Sequence, residues 1–161
     1  MRHQVEVSVD RGAADHPPGL YRFDRPASGV QGFDDVNDEA IERFRSEGYL
    51  VIERAFTPAE VEDALVAISD LIGGKHPDFR GIQLEAAARE RWPELSDLER
   101  QDAVRKLMAF VRYDSRLDAL AHHPRLRDLL TRIMGEPPEL FQDMALLKPP
   151  RIGREKPWHQ D

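Results

Sequence analysis

His159 and Asp161 are of side-chain types that bind a transition metal, and they stand two residues apart. Side chains alternate along an extended backbone, so residues at this spacing face the same way. A neutral imidazole nitrogen and a carboxylate oxygen on one face make a chelating pair. They supply two of the three ligands in the facial arrangement that holds non-haem Fe(II) and leaves positions open for a co-substrate and oxygen. The pattern is not specific by itself, because a chain with 6 His and many aspartates contains it by chance. A second copy, His76-Pro77-Asp78, follows Gly73-Gly74 at the expected end of a helix, where loop chemistry accounts for it.

The surroundings of the two copies separate them. Met144-Ala-Leu-Leu-Lys-Pro-Pro-Arg-Ile-Gly, a short basic spacer and Pro157-Trp-His-Gln-Asp161 together resemble the phytanoyl-CoA dioxygenase family. The resemblance continues more weakly back to about Phe33. It passes through Gly48-Tyr-Leu-Val-Ile-Glu-Arg-Ala-Phe-Thr-Pro-Ala-Glu60, which is similar to the family's opening strand and helix. It implies an α+β fold, the N-terminal part of a double-stranded β-helix (jelly roll) with flanking helices. It also implies an Fe(II)- and 2-oxoglutarate-dependent dioxygenase that hydroxylates a small organic substrate while 2-oxoglutarate is decarboxylated to succinate and CO₂, with ascorbate as an accessory reductant.

On this resemblance His159 and Asp161 are the metal ligands, and two co-substrate contacts carry over. One is Lys106 in Val104-Arg-Lys-Leu-Met-Ala-Phe110, allowing one residue of slippage downstream; the other is Met144. A lysine ammonium is a compact cation suited to a carboxylate. The alternatives are a surface lysine at 106 and a gap-filling core methionine at 144. Arg151, Arg154 and Lys156 could meet an anionic substrate such as an acyl-CoA, or could simply line a solvated loop. The family's third metal ligand, a second His, and its 2-oxoglutarate-gripping Arg come from later strands, and no residue here is assigned to them. Residues 1–32 are therefore expected to be a polar N-terminal segment and 33–161 the N-terminal part of the domain, inactive as a fragment. The rival reading is a non-catalytic binding or interaction protein that carries the pair as a relic.

Several elements must position these residues. Asn37 can cap a helix closed by Gly48, with Ile41 and Phe44 on one face; a strand over 49–53 follows. Thr57-Pro-Ala-Glu60 is a capping box, and Val61, Leu65, Ile68 and Ile72 recur at helical spacing as the apolar face. A loop, a helix near 83–91 and a helix opened by Ser96-Asp-Leu-Glu99 come next, then a strand over 104–112. His122 and His123 precede a helix begun by Pro124 and ended by Gly135, and adjacent residues on an element do not share a face, so they make a poor metal pair. A strand over 139–148 alternates Gln142, Met144 and Leu146 with Phe141, Ala145 and Leu147. Pro149, Pro150, Gly153 and Pro157 shape the loop into His159, and Trp158 should face away from the metal.

Composition excludes several classes. At 161 residues and 40% hydrophobic the chain can bury one core. A net charge of −7 argues against non-specific binding to nucleic acid or an anionic membrane. No apolar run reaches the roughly 18–20 residues that span a bilayer. Absence of Cys removes disulfides, thiolate catalysis and cysteine-ligated zinc, and fits a cytoplasmic setting. No Gly-x-Ser-x-Gly, phosphate loop or dinucleotide fingerprint occurs. His3 and His16, in the polar segment, read as solvated residues.

Overall fold

A computed structural model describes residues 27–149 and 151–153. Local chemistry sets most helix ends. The Asn37 side chain accepts a hydrogen bond from the Ala40 amide at 2.9 Å and opens α1 (Asp38–Glu47), which Gly48 closes in the left-handed conformation at φ 82°. Two short strands, β1 (Val30–Gln31) and β2 (Ile52–Glu53), pair in parallel, so the strand expected over 49–53 is confined to its last two residues.

Helix α2 (Pro58–Ile72) begins at the capping box. The Thr57 hydroxyl accepts from the Glu60 amide, and the Glu60 carboxylate accepts from the Thr57 amide at 2.7 Å. The Thr57 amide and hydroxyl hold the Glu60 carboxyl below the usual carboxylate range. Replacing Thr57 by alanine is expected to cost about 1 kcal/mol through the lost cap, read as a shift in the urea midpoint at unchanged slope.

The buried face of α2 differs in part from the expected one. Val61 and Leu65 are 45% and 56% exposed, whereas Ala64, Ala67, Leu71 and Ile72 are buried. Two alanines one turn apart let α4 (Ser115–Ala121) lie close against α2, with Leu117 entering the same cluster. Ile72 is buried and Ile68 packs against the cluster as expected, so the inward face is turned only from Val61 and Leu65 toward Ala64 and Ala67, which hydropathy passes over because alanine contributes little to it.

The second correction concerns residues 83–91, expected as a helix. Ile82–Leu84 form β3, which runs antiparallel to β4 (Val104–Met108); β4 in turn runs antiparallel to β5 (Met144–Leu146), giving the order β3-β4-β5. Single 3₁₀ turns follow at Ala86–Ala88 and Trp92–Glu94, and Ser96 caps the short α3 (Asp97–Gln101) through the capping box expected there. β4 also stops earlier than Arg112. Ala109 takes φ 53°, and residues Val111–Tyr113 turn into a 3₁₀ helix. β5 is likewise shorter than the 139–148 run.

Helix α5 (Pro124–Met134) starts at Pro124 and ends at Gly135, φ 84°, as its punctuation indicates. The apolar residues form two clusters. One joins Ala64, Ala67, Leu71, Ile72, Phe79, Val104, Leu107, Phe110, Val111 and Leu117, and so ties α2 and α4 to the three-stranded sheet. The other joins Phe33, Val36, Ala40, Ile41 and Leu129, tying α1 to α5. The fold is α+β. No helix among the described residues is long and apolar enough to cross a membrane.

Candidate functional site

The three-stranded sheet has two unlike faces. Ile82, Leu107 and Ala145 stand opposite one another in register and, with Leu107 fully buried, pack onto the larger cluster together with Leu147. The intervening residues point the other way. Lys106 pairs with Gln83 on one side and Leu146 on the other, and Met108 pairs with Met144. Residues directly opposite in an antiparallel pair share a face. Gln83, Lys106, Met108, Met144 and Leu146 thus form one surface, of which Lys106 and Met108 are half-buried and Met144 is 41% exposed.

Lys106 and Met144, both carried over from the one resemblance, therefore lie on neighbouring strands and on the same face. The Lys106 ammonium has no ion-pair or hydrogen-bond partner among the described residues. Several other cations are matched: Lys75 with Asp70 at 2.6 Å, Arg116 with Asp114 at 2.7 Å, Arg132 with Asp38 at 3.2 Å. An unmatched ammonium beside two thioethers suits a small anion with a short aliphatic chain.

Two features hold the register of this face. The Asp143 carboxylate, next to β5, accepts from the amides of Phe110 and Val111, the latter at 2.7 Å, and so fixes the turn that ends β4. At the other edge Gly81 lets β3 approach. Its carbonyl accepts from the Met108 amide at 2.9 Å, and a Cβ at this position would stand 1.9 Å from the Met108 carbonyl oxygen.

His159 and Asp161 lie outside the described residues, as do Trp158, Arg154, Lys156, His3 and His16. Among the described residues no group of three or more His, Cys, Asp or Glu could hold a metal. The described histidines each have other partners. His76, in the first His-x-Asp copy, faces Asp114 at 3.4 Å; His122 faces its own helix through Asp118 at 3.1 Å; His123 meets Glu60 at 3.2 Å and stacks on Phe33 at 5.7 Å. Arg151 takes φ 70° in a turn closed by the Gly153 amide on the Pro149 carbonyl at 3.0 Å.

The sequence profile of the family described as Phytanoyl-CoA dioxygenase (PhyH) matches residues 44–161, well over half of the chain. The chain belongs to the phytanoyl-CoA dioxygenase family. At the level of the family this means a dioxygenase of the Fe(II)- and 2-oxoglutarate-dependent type acting on a small molecule. Its members typically use Fe(II) and 2-oxoglutarate. No curated protein and no solved structure matches the chain. In phytanoyl-CoA dioxygenase terms, the matched region contains β4, β5 and the His159–Asp161 pair. Phe33, Val36, Ala40 and Ile41 precede it in sequence but share a cluster with Leu129 inside it. Sequence reasoning missed Gln83 and Met108, because the strand pairing that brings them beside Lys106 is a tertiary feature.

Proposed function

We propose that residues 33–161 form the opening part of a jelly-roll dioxygenase that hydroxylates a small organic substrate, an acyl-CoA among the candidates, in the cytoplasm. In this reading His159 and Asp161 hold Fe(II), and Lys106 and Met144 meet 2-oxoglutarate. When bound, iron and 2-oxoglutarate supply the oxidising chemistry, with ascorbate keeping the metal reduced. The chain's own part is to bind and orient. Lys106 offers its charge to a carboxylate, the Met108 and Met144 thioethers lie along the aliphatic part, and the sheet's opposite face anchors both strands in a dry core.

The observation that carries this reading is the half-buried Lys106, its ammonium without a partner among the described residues, on the face that also presents Met144. It favours an anion-binding surface over a merely solvated lysine. The metal assignment is tested by titrating the purified chain with Co(II), a spectroscopic substitute for Fe(II). His159→Ala is expected to lower the affinity by at least about 10-fold, because even an outer partner of a metal ligand is typically worth ~10–100-fold. His76→Ala is expected to leave it unchanged. Equal affinity in wild type and His159→Ala overturns the assignment.

A further inference from the structure

Gln83 stands directly across β3 and β4 from Lys106. Side chains so placed have Cβ atoms about 4.5–5.5 Å apart, within reach of one ligand atom for an amide and an ammonium. Gln83 is exposed, and its amide nitrogen donates to the Met108 thioether sulfur at 3.5 Å. A thioether is a weak acceptor. A carboxylate oxygen arriving at Lys106 would therefore take that N–H in exchange for a much better partner, and the bond would be charge-assisted. The amide carbonyl has no donor among the described residues.

We propose that Gln83 is a ligand-positioning residue of this face, donating its side-chain N–H to the same carboxylate that Lys106 neutralises. This rests on the reading of Lys106 given above and adds a second polar contact to it. The pair distinguishes carboxylate from a point anion such as chloride. Ammonium and amide approach two different oxygens, with Met108 and Met144 below and Leu146 alongside. Neither residue needs to move between strands, because both are already in register.

The test is a titration of the isotope-labelled 161-residue chain with 2-oxoglutarate, with Zn(II) in place of iron, followed by backbone amide NMR. In wild type the Lys106, Met108 and Met144 amides are expected to shift. Gln83→Ala should weaken the apparent affinity by about 5–10-fold, as for a net hydrogen bond to a charged group at an exposed site. Gln83→Glu should weaken it further by placing a negative charge beside the ligand. Unaltered spectra away from the face and an unaltered melting temperature check that the variants remain folded. If Gln83→Ala binds like wild type while Lys106→Ala loses affinity, the proposal for Gln83 is overturned and the reading of Lys106 stands. If Lys106→Ala binds like wild type, or wild type shows no shifts, both are overturned.

Discussion

Replacing Asp114 by alanine is expected to destabilise the protein by about 3 kcal/mol at pH 7. The carboxylate is 8% exposed and collects an unusual set of donors. The Arg116 amide reaches it at 2.9 Å, the Arg116 guanidinium at 2.7 and 3.0 Å, and His76 at 3.4 Å. The first of these also caps α4. Asp70 meets the same guanidinium at 2.8 Å, so Arg116 ties α4 to α2. Breaking a buried pair usually costs ~3–5 kcal/mol. The lower end applies because the Arg116 side chain is 31% exposed and can return to water.

The same site predicts a response to acid. The Arg116 guanidinium beside Asp114 holds its carboxyl at about 2, against burial, which pushes it up from the ordinary 3.8. A folded-state value below the unfolded one means stability that is fully present above about pH 4 and is lost as pH falls through about 2. The span corresponds to roughly 2 kcal/mol. Urea unfolding across pH 2–7 checks both statements. The gap between wild type and Asp114→Asn should narrow below pH 4, and a constant gap would show that the charge contributes nothing.

The second large effect is expected at Gly81. Its backbone is unstrained, so the objection to a side chain is spatial. A methyl group would meet the Met108 carbonyl oxygen at 1.9 Å and the Phe79 ring at 2.7 Å. The ring can shift; the carbonyl belongs to β4 and cannot move without the sheet. Gly81→Ala should therefore cost about 3 kcal/mol, the upper part of the usual range for overpacking. It should also detach the Met108 amide from the Gly81 carbonyl. Faster hydrogen exchange at Met108 would report this, and it should be accompanied by weaker 2-oxoglutarate binding, since Gln83 is two residues away. A variant with wild-type stability and wild-type exchange at Met108 would refute the close-approach account.

What was legible in the sequence was local. Asn37, Thr57 with Glu60, and Ser96 with Glu99 satisfy helix amides within three residues, and Gly48 and Gly135 end helices by their own conformational freedom. Such chemistry is complete within one turn of chain. The misreadings needed distant partners. Glu85-Ala-Ala-Ala-Arg89 has strong helical propensity, yet Ile82–Leu84 are claimed by β4, some 20 residues downstream, and pairing overrides propensity. The buried side of α2 depends on how close α4 comes, which Ala64 and Ala67 decide. Within the candidate site the residue types at 106 and 144 could be nominated, but their common face follows from a register set by Asp143 and Gly81. Gln83 carried no signal of its own in the sequence.

The two apolar clusters have a consequence for how this sequence can change over evolutionary time. His123 stacks on Phe33 in one of them and also reaches Glu60 at the start of α2, the helix whose Ala64, Ala67, Leu71 and Ile72 belong to the other. Energetic effects of substitutions that share no partners add rather than compound. Phe33, Ile41 and Leu129 share no cluster with the residues behind the Lys106 face, so drift among them can proceed by mutual compensation, with coupling toward α2 passing through His123 and Glu60. Leu107, Val104 and Leu71, which back that face, must instead change in concert with it, so the two halves should diverge at different rates.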